Sequence, residues 1–163
     1  MKSVILFRHG KASFDRIFSN DHERTLENQG FKDAEKMGKC LFEKNEIPDL
    51  VISSTATRAK STAEAAIKKG EWKCPITFNN IIYFGSTSDL LILIKEQNDK
   101  YDSICMVGHE PKFSNFVDLS INKKHTFFST ATVAKIDFDM PKWSLIEFGF
   151  GNLDWLISPK ELK

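Results

Sequence analysis

The chain has 163 residues, 41% hydrophobic and 28% charged, enough for one domain burying roughly 70% of the surface its unfolded form exposes. Twenty-three Lys and Arg against 22 Asp and Glu leave a formal charge of +1, and no run of like charge argues for nucleic acid or a membrane surface as partner. Leu90–Ile94 is far too short to span a bilayer, the apolar run after Lys2 is too short for a signal-peptide core, and Cys40, Cys74 and Cys105 form no C-x-x-C pair, so a reduced, cytoplasmic protein with buried Cys40 and Cys105 thiols is expected.

Val4-Ile5-Leu6-Phe7 is an uninterrupted apolar run, the pattern of a strand at about 3–8 covered on both faces as in a parallel sheet. It ends in Arg8-His9-Gly10, where the chain leaves the carboxyl end of the strand, the side on which open α/β sheets hold ligands. A polar loop through Asp21-His22-Glu23-Arg24 leads to a helix from about Glu27 to Glu43. Its stripe is Phe31, Ala34, Met37, Gly38, Leu41 and Phe42. After Pro48, Asp49–Ser54 reads as a second buried strand. The helix at 57–69 buries the small residues Ala59, Ala63 and Ala66 with Ile67, which lets it lie close to the sheet. A short strand at 76–78 precedes a helix opened by Ser86-Thr87-Ser88-Asp89, residues suited to capping.

Ser103–Gly108 repeats the buried-strand pattern and ends in Gly108-His109. Glu110-Pro111 follows, before a helix at 112–121 that buries Phe113, Phe116, Val117 and Ile121. The tail alternates instead: Ala131–Phe138 and Trp143–Phe150 read as antiparallel strands joined around Asp139-Met140-Pro141. The fold class is α/β: three layers, α/β/α, with a mostly parallel mixed sheet and an antiparallel C-terminal edge hairpin.

If the first, second and fourth strands are parallel, Arg8, His9, Arg58 and His109 meet at one edge of the sheet. A guanidinium grips a phosphate with a planar fork of donors, and an imidazole serves as nucleophile or base near neutral pH. His9 is the candidate nucleophile, attacking as neutral imidazole while an acceptor such as a backbone carbonyl holds its other ring nitrogen. Arg8 and Arg58 would neutralise the equatorial oxygens, and a protonated His109 would add a donor. Lys11 reads as a rim charge, while His22 and His125 read as exposed loop residues.

In this pattern the sequence resembles the histidine phosphatase superfamily, with its phosphoglycerate-mutase-like fold, and within it the compact SixA-type phosphohistidine phosphatases. The resemblance rests on Arg8-His9-Gly10-Lys11-Ala12, Arg24-Thr25-Leu26 with Gly30 and Ala34-Glu35, and Ser53-Ser54-Thr55-Ala56-Thr57-Arg58-Ala59 with Thr62-Ala63-Glu64. It continues through Val107-Gly108-His109-Glu110-Pro111, Phe128-Ser129-Thr130-Ala131 and Trp143, over nearly the whole chain and in order. It implies a phosphohistidine intermediate on His9, phosphate held by Arg8 and Arg58, support from His109, and no cofactor. Arg24 is a further candidate phosphate ligand, although Thr25 stands where that branch usually has proline.

Other phosphatase chemistries fit poorly. None of the three cysteines has an arginine six positions on; those places hold Glu46, Asn80 and Pro111. There is no glycine-lysine-Ser/Thr phosphate loop, and the four histidines have no zinc-ligand spacing. Asp137-Phe138-Asp139 resembles an aspartyl-phosphatase opening, but Pro141 breaks it.

Relatives that cleave phosphate esters place a carboxylate after the third strand to protonate the departing alkoxide. Here Asn79–Ser88 has none, and Asp89 fits the first turn of a helix. That favours phosphohistidine in a protein partner, because an imidazole leaves without a strong acid beside it. Small phosphate esters are the alternative substrate class, and a non-catalytic module binding phosphorylated partners is a third reading.

Overall fold

The computed structural model describes residues 1–14 and 20–162; part of the polar loop expected after the first strand lies outside them. The described strands form one six-stranded sheet in the order β3-β2-β4-β1-β5-β6. They are β1 (Lys2–Arg8), β2 (Leu50–Ser53), β3 (Ile76–Phe78), β4 (Ser103–Gly108), β5 (Val133–Phe138) and β6 (Gly151–Ile157). β1, β2, β3 and β4 run parallel, while β5 is antiparallel to both β1 and β6. The helices are α1 (Asn28–Glu43), α2 (Thr57–Lys69), α3 (Ile81–Phe84), α4 (Thr87–Lys95) and α5 (Lys112–Ile121).

Alternate residues of the central strands feed two cores, as the period-two geometry of a strand requires. Val4, Leu6, Ile52, Ile104 and Met106 face α4 and α5, with Phe113, Phe116, Phe128 and Trp143 completing that cluster. Ile5, Phe7, Val51, Cys105 and Val107 face α1 and α2, meeting Met37, Leu41, Ala59, Ala63 and Ala66. The small residues of α2 bring it close to α1 as well as to the sheet. A Cβ on Gly38 would lie 2.2 Å from the Ala66 carbonyl oxygen, so only glycine permits that helix crossing. Phe31 and Phe42, expected on the buried stripe of α1, are exposed at its edges.

The tail departs from expectation. Residues 143–150 are not a strand: Trp143–Leu145 form a 3-10 turn, and the last strand lies at Gly151–Ile157. Trp143 is fully buried, its backbone N–H donating to Asp99 Oδ1 (2.9 Å) and its indole N–H to the Tyr101 carbonyl (2.7 Å). Trp143, Ile146 and Phe148 thus close one end of a core instead of lining a strand face. The four-residue helix α3 is also additional to the elements read from the sequence. Among the described residues, no helix is long and apolar enough to cross a membrane.

Candidate active site

Strand register sets the site. Arg8 of β1 pairs with Gly108 of β4, so the next residues out along these adjacent parallel strands are His9 and His109. The His9 N–H continues the ladder by donating to Gly108 O (3.0 Å), and the Ala131 N–H donates to His9 O (2.9 Å). The two imidazole rings sit 5.4 Å apart, centroid to centroid, and both residues are buried. The opening turn of α2 brings Arg58 to the same place, also buried. Gly10 supplies the close approach behind His9: a Cβ there would lie 2.6 Å from the Gly30 carbonyl oxygen. Its N–H donates to Thr62 Oγ1 (3.0 Å).

Hydrogen bonding fixes the chemistry of His9. Its Nδ1 lies 2.7 Å from Gly10 O, and a carbonyl only accepts, so Nδ1 carries the ring proton. On the other side, Arg58 Nε stands 3.3 Å from Nε2; a guanidinium only donates, so Nε2 presents its lone pair. Burial, with the positive charges of Arg58, Arg8 and Arg24 adding to it, lowers the His9 pKa to about 4 against the opposing Gly10 hydrogen bond. At neutral pH the residue is an uncharged imidazole with one defined tautomer and its bare nitrogen at a guanidinium.

His109 Nε2 hydrogen-bonds Ser54 Oγ at 2.8 Å. Burial, followed by His9, Arg58 and Lys112, lowers its pKa to about 3. His109 is therefore neutral at neutral pH, not the cation considered from sequence. Arg8 donates through Nη1 to Phe128 O (2.8 Å), which ties the 128–131 loop to the site. Among the described residues, Arg8 Nε and His109 Nδ1 are buried without a hydrogen-bond partner. Such orphaned atoms cost about 1–3 kcal/mol each and are tolerated chiefly where function demands them.

Arg24 reaches the neighbourhood without entering it freely. Its Nε donates to Ser13 O (2.8 Å), its Nη1 to Asp21 Oδ1 (2.7 Å), and its guanidinium lies over the Phe14 ring at 4.1 Å. Asp21, which the sequence did not single out, is the centre of the polar cluster. Its Oδ2 accepts from Arg58 Nη2 (2.9 Å) and from the Tyr83 hydroxyl (2.7 Å), and its backbone oxygen accepts from Arg58 Nη1 (2.7 Å). These partners, Tyr83 foremost, hold the carboxyl far below the usual carboxylate range despite the opposing effect of burial. The only hint in the sequence was an acid three residues before Arg24.

His22 is not the exposed loop residue expected. It is half-buried, with Nε2 bonded to Thr55 Oγ1 (2.8 Å) and its ring stacked on Phe84 and edge-on to Tyr83. A cavity of about 660 Å³ opens there, lined by Asp21, His22, Thr55, Asn80, Tyr83 and Phe84. The other secondary expectations agree with the structure: His125 and Lys11 are exposed, Lys11 beside Glu27 at 3.5 Å. Asp89 is locked in a capping box with Ser86 at the start of α4.

Residues 4–80 match the family described as the histidine phosphatase superfamily, branch 1. The structure superposes on the crystal structure of SixA from Agrobacterium tumefaciens with a TM-score of 0.82 and 26% identity, over 97% of this chain and 98% of that one. Residues 4–80 thus carry the sequence pattern of the histidine phosphatase superfamily, on a fold shared with SixA over nearly the whole chain. Curated relatives match over shorter stretches. The uncharacterized chloroplastic protein At3g52155 of Arabidopsis thaliana is 36% identical over 64 residues, covering 39% of this chain and 29% of the relative. A 2,3-bisphosphoglycerate-dependent phosphoglycerate mutase of Leifsonia xyli is 34% identical over 67 residues, covering 40% and 27%. The chain thus spans under a third of the length of these two relatives.

Proposed function

We propose that the chain is a phosphatase in which His9 Nε2 takes a phosphoryl group from phosphohistidine in a protein partner and water then removes it. The observation that carries this reading is the tautomer lock on His9: Gly10 O holds Nδ1–H, leaving Nε2 unprotonated beside Arg58 Nε. In the first step the Nε2–P bond forms as the P–N bond to the leaving imidazole breaks. In the second, a water oxygen attacks phosphorus and His9 departs. Phosphoryl transfer asks mainly for alignment and neutralisation of equatorial oxygens, and Arg8, Arg58 and His109 stand within the same cluster to do this. Arg24 contributes through the field it exerts on His9.

The substrate class follows from proton supply. Asp21 is hydrogen-bonded into the cluster, and its partners keep it ionised, so it has no proton to give an alkoxide; Glu110, near enough to act on Arg8, is engaged by the Ser114 N–H in α5. Asp89 is committed to its capping box. A phosphoramidate nitrogen leaves without that help, and the ring-lined cavity of Tyr83, Phe84 and His22 offers an imidazole a flat surface to lie on.

Phosphate release should be measured from a phosphohistidine protein, an aryl phosphate and an alkyl phosphate. Turnover strongly favouring phosphohistidine supports the proposal. Preference for the esters assigns a small-ester phosphatase instead, and binding without turnover of any substrate assigns a non-catalytic module.

A further inference from the structure

Asp21 is a carboxylate with three side-chain donors on it, at the edge of the site, doing nothing in the transfer step itself. Its side chain is 49% exposed, so burial does not explain its ties. What it does explain is the direction of Arg58. A guanidinium is a rigid plane of five N–H donors, so fixing two of its nitrogens fixes the third. Asp21 holds Nη1 through its backbone oxygen (2.7 Å) and Nη2 through Oδ2 (2.9 Å). The remaining nitrogen, Nε, is thereby aimed at His9 Nε2, 3.3 Å away. The same carboxylate takes Arg24 on Oδ1 and the Tyr83 hydroxyl on Oδ2, which leaves it little freedom of its own.

We propose that Asp21 is a positioning residue acting through Arg58: it clamps the far end of the guanidinium so that the edge carrying Nε addresses the transferring phosphoryl group. This rests on the phosphatase reading above and deepens it. The geometry speaks against the opposite role, a carboxylate occupying the phosphate's place, because Asp21 engages the end of the guanidinium away from His9. Tyr83, whose hydroxyl proton is spent on Asp21, secures the clamp from α3.

The clamp predicts a split between turnover and affinity. Asp21→Asn removes a negative charge from beside two arginines and leaves one neutral amide oxygen where two carboxylate oxygens served Arg58, Arg24 and Tyr83, so attraction for an anion is undiminished while the grip on Arg58 Nη2 is weakened, the backbone bond to Nη1 remaining. The test is steady-state kinetics of wild type, Asp21→Asn, Arg58→Ala and the double variant, with inhibition by inorganic phosphate measured on each and far-UV circular dichroism confirming folding. Asp21→Ala provides a second variant should the amide misfold.

The expected result is a kcat lower by on the order of tenfold to a hundredfold, with a phosphate inhibition constant that does not rise. Added to Arg58→Ala, the Asp21 change should do nothing more, since its partner is already gone. Wild-type kcat in Asp21→Asn overturns the clamp, as does an equal loss in both backgrounds. Much tighter phosphate binding with kcat intact would assign the competitor role instead. A wild-type protein with no turnover removes the phosphatase reading itself, an outcome distinct from an active wild type with an indifferent Asp21→Asn.

Discussion

Acidification should destabilise this protein through the two site histidines, and the size of the effect follows from their surroundings. In the unfolded chain each titrates near about 6.5. In the folded protein burial and the neighbouring arginines lower His9 to about 4, and burial with His9, Arg58 and Lys112 lowers His109 to about 3. Between the two values the unfolded state binds protons that the native state refuses, so stability falls as pH drops through the unfolded pKa and the loss levels off below the folded one. From about pH 7.5 to about pH 5 the linkage relation gives about 2 kcal/mol per histidine. That is a large share of a typical domain stability of about 5–15 kcal/mol. Asp21, whose pKa is depressed, adds nothing in this window; its stabilisation is lost only at lower pH.

Urea unfolding of wild type and His109→Gln at the two pH values isolates the effect. The glutamine cannot titrate and can still reach Ser54. Wild type should lose both contributions and the variant about half of that. If acid costs the variant as much as it costs wild type, the electrostatic description of the site is wrong.

Further predictions follow from individual contacts. Arg58→Lys replaces a planar fork by one ammonium that cannot hold Asp21 and face His9 together; kcat should fall by about 10²–10³, as when a donor to transition-state charge is removed, with the melting temperature little changed. Retained kcat would deny Arg58 its role. Gly38→Ala places a methyl against the Ala66 backbone and should cost about 1–3 kcal/mol of stability in urea unfolding. A neutral result would mean that α1 and α2 pack more loosely than described. Tyr83→Phe removes one of three donors to Asp21 and should reduce kcat by about tenfold or less, on the scale of about 1 kcal/mol for one hydrogen bond; a larger loss would give the hydroxyl a direct part in transfer.

The sequence showed the sheet where burial is two-sided. Val4–Phe7 and Ile104–Val107 are apolar without interruption because α-helices cover both faces, and Arg8-His9 and Gly108-His109 just past them mark the strands' carboxyl ends. Arg8, His9, Arg58 and His109 were legible for the same reason, each standing at the boundary between a regular element and the chain leaving it. β6 was not. It is an edge strand whose outer residues, Asn152 and Asp154, are exposed, so its pattern is weak. The apolar residues just before it, Trp143 and Ile146, advertise a strand while filling a core from a turn. Helix α3, four residues of Ile-Ile-Tyr-Phe, has no room to show a helical period. Asp21 and His22 escaped because Asp21-His22-Glu23-Arg24 looks like any solvated loop, and only tertiary contacts with Arg58, Tyr83 and Thr55 give the first two residues a purpose.

The proposed phosphatase passes through a covalent bond between phosphorus and His9 Nε2. Mixing enzyme with a phosphoramidate, quenching at alkaline pH within the first turnovers and mapping the phosphoryl group by mass spectrometry tests it directly. One phosphoryl group is expected on the peptide carrying His9, and His9→Ala should lack it and lose turnover while remaining folded. Phosphate on another residue, or full activity in His9→Ala, would contradict it.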